Sequence, residues 1–145
     1  MQGNSKRIPR SKFIKDEYFY NFTRENLPSY GYYVSDVDAI FRNNRNQVMI
    51  LEIKRKMAEL KPNQKRSYNF IHKCIISHNG KLMCFDKKLE NWIYYGVHLL
   101  QFENTTFEDG KAYFDRKEVT KAEFIRICNF DSNKLKIYAQ GNDGD

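Results

Sequence analysis

Along this chain the apolar positions switch between a helical spacing and a two-residue alternation, and the switches mark its elements. The first helical stretch follows Ser11, a residue able to cap it. Ile14, Tyr18 and Phe22 recur at every fourth position with Phe13 and Phe19 beside them, which predicts an amphipathic helix to about Glu25. Leu27-Pro28-Ser29 ends it, because proline cannot continue a helix. Tyr30 to Ser35 reads as a first strand or strand entry. Alternation then governs Tyr32 to Lys56, YYVSDVDAIFRNNRNQVMILEIKRK. Two β-type runs flank Asn43-Asn44-Arg45-Asn46. Asparagine tolerates the left-handed backbone of a tight turn, so the stretch predicts a hairpin. Its second strand, Val48 to Ile53, is apolar on both faces, which marks a strand covered on both sides at the centre of a sheet.

Helical spacing returns after Lys56. Pro62 suits a first helical position, and Tyr68, Ile71, Cys74 and Ile75 form the buried stripe of a helix predicted to about Ile76. Ser77-His78-Asn79-Gly80 predicts a turn, Lys81 to Phe85 a short strand, and Trp92 to Phe102 the longest strand. Glu103 to Gly110 reads as a loop with a hairpin-type turn at Asp109-Gly110, after which Ala112-Tyr113-Phe114 pairs back. Thr120 and Glu123 have the capping-box spacing for a last helix, Lys121 to about Asn129. Residues 1–10 are expected to be a flexible basic arm, 11–135 one domain and 136–145 a disordered tail. There is no internal repeat. The order predicts an α/β (α+β) fold with a mixed central sheet flanked by helices.

Composition narrows the class. A chain of 145 residues with 15% aromatic content can bury a core and is not a disordered segment. Its formal charge of +7 favours a polyanionic partner, nucleic acid being the commonest. Cys74, Cys84 and Cys128 have no zinc-ligand spacing and read as buried thiols in a reducing compartment. The first residues carry no secretory signal pattern, and no run approaches the ~18 apolar residues of a membrane span. A cytoplasmic protein without a membrane partner is expected.

The hairpin carries the candidate chemistry. With the turn centred on Arg45, Asp38 and Glu52 each lie seven residues away and face one another. Side chains alternate along a strand, so Asp36, Asp38, Glu52 and Lys54 share one face. Carboxylates directly across a ladder repel. A divalent cation between them removes that cost, since hard cations take oxygen ligands. An acid-x-Lys triplet alone carries little information, because this chain has four: Glu52-Ile53-Lys54, Glu59-Leu60-Lys61, Asp86-Lys87-Lys88 and Asp115-Arg116-Lys117. Glu59 stands in a polar connector, and Asp86 has no acid across from it. Asp115 could face Glu103 or Glu108 across the Asp109-Gly110 turn and is the strongest competitor. Glu52 alone combines an apolar strand, a clean turn and an opposed acid. Gln64, Lys65 and Arg66 follow in the first turn of the next helix, where basic residues oppose the helix dipole and suggest an anionic ligand.

The pattern of Asp38, a hairpin and Glu52-Ile53-Lys54 resembles the PD-(D/E)XK nuclease superfamily. The form VDAIF…MILEIKRK looks most like its Holliday-junction resolvase, VRR-NUC and phage-type members, over roughly residues 12–104. Val37 stands where many members have proline. The resemblance implies a restriction-endonuclease-like αβββαβ core and a divalent-metal-dependent phosphodiesterase acting on DNA. It implies Mg²⁺ or Mn²⁺ held by Asp38, Glu52 and the Ile53 carbonyl, with Glu17 of the first helix as a third acid and Asp36 as an alternative ligand. Lys54 would orient or deprotonate water or stabilise the phosphate. Gln64 matches a polar residue that exonuclease-like members carry at the next helix. Arg55, Lys56, Lys65, Arg66 and Tyr68 would hold the DNA backbone. Resolvase-like and restriction-type members often dimerise, so a homodimer is a further implication, and a prokaryotic or viral source would fit.

Other residues point elsewhere. His72, His78 and His98 lack a partnered nucleophile. Tyr32, Tyr33, Tyr94 and Tyr95 suit core packing better than base stacking. Two other readings stand beside the nuclease: a non-cleaving nucleic-acid-binding protein on a nuclease-like fold, and a viral structural or assembly protein.

Overall fold

A computed structural model describes residues 18, 21–22, 24–26, 28, 37–83 and 85–141. The chain divides into two compact units, Met1–Ser35 and Asp36–Asp145, where the sequence suggests one domain from residue 11. In the first unit, Tyr18, Asn21, Phe22 and residues 24–26 are helical, and the Tyr18 and Phe22 rings lie 6.4 Å apart. This agrees with the four-residue aromatic spacing. Glu17, the strand at Tyr30–Ser35, Asp36, Tyr32 and Tyr33, and the N-terminal arm lie outside the described residues.

The second unit is α+β and holds a mixed six-stranded sheet. Strands β1 (Ala39–Arg42) and β2 (Gln47–Lys54) form the hairpin. Asn46 takes the left-handed conformation at φ 59°, and the Asn43 side chain accepts from the Arg45 and Gln47 amides. The register runs Ala39↔Leu51 to Arg42↔Val48, centred on Arg45. Helix α1 (Pro62–Ser77) follows, then a separate hairpin of β3 (Lys81–Met83) and β4 (Leu89–Asn91). Strand β5 (Ile93–Phe102) returns parallel to β2, so β2 sits between β1 and β5. Beyond β5 come β6 (Ala112–Phe114) and β7 (Lys117–Val119), both antiparallel. Helix α2 (Lys121–Cys128) follows with the Thr120–Glu123 capping box formed.

Each face of the sheet has its own core. Met49 and Leu51 of β2 pack with Leu100, Phe114, Val119 and Ile127 on one side. Ile50 packs with Tyr68 and Tyr94 on the other, where Ile71 and Ile75 of α1 also lie. That two-sided burial is why β2 is apolar at every position from Val48 to Leu51. Cys74 departs from its predicted stripe and is exposed. Cys128 is half-buried, and burial pushes its thiol up to about 11. Cys84 lies outside the described residues.

Three features differ from the sequence reading. Residues 103–111 form one long loop tied by Asp109, whose carboxylate accepts from the Thr105 and Thr106 amides. The tight turn is instead Asp115-Arg116, both left-handed, joining β6 to β7. Order also extends past residue 135: Ala139–Gln140 form β8 on the first residues of β5. Finally, β5 contains a bulge. Val48 pairs with Tyr94 but Ile50 with Val97, so Tyr95 and Gly96 together oppose Met49. Gly96 has φ +95°, and a Cβ there would lie 2.7 Å from the Tyr138 ring. Only glycine fits this conformation and this space.

Candidate active site

Asp38 stands just before β1, one step beyond the Ala39↔Leu51 pair, and so opposite Glu52. Its Oδ2 accepts from the Ile53 amide at 2.8 Å. Ile53 therefore meets Asp38 through its N–H. Asp38 is exposed, whereas Glu52 is only 3% exposed. A carboxylate buried on a central strand needs partners, and Glu52 has three. Lys54 Nζ lies 3.2 Å from its Oε2, Gln64 Nε2 lies 3.4 Å from the same oxygen, and the Tyr68 hydroxyl donates to its Oε1. Lys54 Nζ also donates to Gln64 Oε1 at 3.1 Å, which in turn accepts from the Lys61 amide at the start of α1.

The cause is local. Glu52 and Lys54 are two apart on one strand and share a face. Gln64 and Tyr68 are four apart on one helix and also share a face. The β2–α1 connector lays the second pair over the first. Tyr68 was expected to touch a DNA backbone. It is buried instead, and its phenol is held well above its ordinary titration range, first by burial and then by its bond to Glu52 and the charges of Glu52 and Asp38. It thus stays a donor to Glu52. Helical spacing from Gln64 was the available signal for this role.

Arg55, Lys56, Lys65 and Arg66 are all exposed, in the β2–α1 connector and the first helical turns. No acid stands in that first turn. Glu17 and Asp36 lie outside the described residues, and among the described residues no group of three or more His, Cys, Asp or Glu is placed to hold a metal ion. The donor set that is present, two carboxylates across a ladder, suits a cation such as Mg²⁺ that keeps most of its waters and takes one or two protein carboxylates.

The competing triplets are used otherwise. Asp115 accepts from the Leu99 amide and pairs with His98 Nδ1 at 2.6 Å. The His98 ring is buried, and its Nε2 faces the Tyr95 carbonyl at 2.6 Å. Glu59 is paired with Arg116, whose guanidinium holds that carboxyl below its usual range. Asp86 accepts from the Lys88 amide. Tyr94 is in the core and Tyr95 half-buried, as packing rather than stacking requires. Among the described residues no helix is long and apolar enough to cross a membrane. No family model, curated protein or solved structure matches this chain.

Proposed function

We propose that the protein is a divalent-metal-dependent DNA nuclease whose hairpin, crossover helix and parallel strand correspond to a restriction-endonuclease-like core. One observation carries the reading: Glu52, buried on the central strand opposite Asp38, has Lys54 Nζ at 3.2 Å and two α1 side chains gathered on it. A buried, multiply partnered carboxylate beside a lysine at a strand end is expected where charge must be managed during a reaction.

Asp38 and Glu52 would hold Mg²⁺ or Mn²⁺, which when bound acidifies water and draws charge from a phosphate. The Ile53 amide fixes the Asp38 carboxylate, and Tyr68 and Gln64 fix Glu52. Lys54 orients the attacking water or neutralises charge gathering on the phosphate. Arg55, Lys56, Lys65 and Arg66 meet the DNA backbone, an electrostatic contact without sequence preference. Glu17 would be a further acid on this reading, and a homodimer would place two centres on two strands.

A non-cleaving nucleic-acid-binding role is the second reading. Its support is that both Glu52 oxygens already have donors, which a spent site would retain. Purified protein incubated with Mg²⁺ or Mn²⁺ and linear, junction and flap DNA separates the two. Cleavage that disappears in both Asp38→Ala and Lys54→Ala supports the nuclease. Binding at low salt without cleavage supports the second reading.

A further inference from the structure

Among the described residues, one buried side-chain oxygen or nitrogen has no hydrogen-bond partner: Oε1 of Gln101. Gln101 is 1% exposed on β5. Its amide orientation is fixed by chemistry. Nε2 lies 2.8 Å from the Ala58 carbonyl and 3.3 Å from Glu59 Oε2, both acceptors, so a flipped amide would set oxygen against oxygen. The acceptor is therefore held away from the connector, and a buried carbonyl without a donor is costly.

Its position says which donor it awaits. Gln101 is the register partner of Lys54, as Leu99 is of Glu52. Register partners in a parallel pair project to the same face of strands about 4.8 Å apart. Gln101, which carries the orphan acceptor, thus stands one strand over from Lys54 on the same face. Lys54 Nζ has three N–H groups and two acceptors, Glu52 Oε2 and Gln64 Oε1.

We propose that Gln101 is a positioning residue that receives Lys54 when the acids load a divalent cation, an inference that rests on the nuclease reading. Glu52 Oε2 cannot serve Lys54 and a dication equally, because the two positive charges repel. Lys54 keeps Gln64 Oε1 and exchanges Glu52 Oε2 for Gln101 Oε1. That move clears Glu52 and leaves the amine fixed beside the metal-bound phosphate rather than free in solvent. Outer-shell partners of metal ligands commonly change metal affinity by roughly 10–100-fold.

The test is a Mg²⁺ titration of the full chain, followed by carbon NMR at the Asp38 and Glu52 carboxyls and at Gln101 Cδ. The carboxyl carbons and Gln101 Cδ are expected to shift together. In Lys54→Met the carboxyl shifts persist and the Gln101 response disappears. Gln101→Met should weaken Mg²⁺ binding about tenfold, and that weakening should vanish when Lys54 is already methionine. Gln101→Met loses the bond to Ala58 in both backgrounds, so equal weakening with and without Lys54 would show a purely structural role and overturn the inference. A carboxyl response without a Gln101 response overturns it alone. No Mg²⁺ response at either acid overturns it together with metal-dependent cleavage. A joint response in a protein that cuts no DNA overturns the nuclease reading and upholds the Lys54–Gln101 exchange.

Discussion

Glu52-Ile53-Lys54 and Asp115-Arg116-Lys117 share a local pattern, an acid two residues before a lysine on a β-hairpin. Their environments differ completely. The Glu52 side chain is 4% exposed on the central strand and is met by three side chains. The Asp115 side chain is 46% exposed at a two-residue turn, and it ties down a backbone amide and a histidine of β5. Asp115 is spent on holding the sheet: a carboxylate on a backbone N–H substitutes for a missing ladder bond. The partners that gather on Glu52 are instead side chains, one from its own strand and two from α1. The same triplet is tied to backbone and a histidine at the outer hairpin and is gathered with side chains at the inner strand, where the nuclease reading puts its chemistry, because only that strand has a crossover helix over its face.

The largest expected effect separates the two directly. Lys54→Ala should lower the rate of metal-dependent DNA cleavage at least about 100-fold, whereas Lys117→Ala should leave it unchanged; equal losses would erase the distinction. Gly96 joins the two regions, since its bulge turns Leu99 and Gln101 to the Glu52 side and His98 to the Asp115 side. Gly96→Ala combines a positive φ with an overlap on Tyr138 and should cost about 3 kcal/mol in denaturant unfolding.

Asp115→Ala should cost about 2 kcal/mol by leaving the Leu99 amide and His98 Nδ1 without their acceptor, with cleavage per folded molecule unaffected. Tyr68→Phe should cost a similar amount and also slow cleavage, because it frees one Glu52 oxygen. The comparison fails if the Asp115 variant loses activity and the Tyr68 variant does not.

Alkaline pH sharpens the Tyr68 assignment. Folding raises the Tyr68 phenol above its unfolded value near 10. Its contribution is therefore complete below about pH 10 and is lost as the pH rises toward the folded value. Tyr94, raised mainly by burial, acts in the same direction. Melting temperature should fall above pH 10, less steeply in Tyr68→Phe than in the parent chain. The smallest effect is at the exposed cations. Arg66→Ala should weaken DNA binding uniformly across sequences and reduce the salt slope by about one, measured by titration at several ionic strengths.

Much of this architecture was legible before any coordinates. The Asn-rich centre placed the hairpin turn, and counting from Arg45 gave the observed register. Pro62, the turn at Ser77–Gly80 and the Thr120–Glu123 box placed both helices of the second unit. Local rules suffice there, because caps, turns and period-two alternation act over a few residues. The misses have physical causes too. Asp109-Gly110 has turn composition but lies in a loop that a carboxylate organises, while Asp115-Arg116 makes a left-handed turn without glycine. The glycine inside Ile93–Phe102 makes room for the bulge, which the sequence reading did not predict, and only the partner strand fixes which residues change face.

By itself the sequence determined the hairpin and its register, helices α1 and α2, strands β3, β5 and β6, and the acid–acid–lysine set, since each depends on spacing over a short stretch of chain. Tertiary structure alone decided that Tyr68 grips Glu52 rather than a ligand and that Asp115 is structural. It also placed Gln101, with its unpartnered carbonyl, in register with Lys54 on the neighbouring strand. Those outcomes depend on a helix crossing over β2 and on a one-residue slip in β5. Both join residues far apart in the chain, and a slip of one residue exchanges every side chain's face.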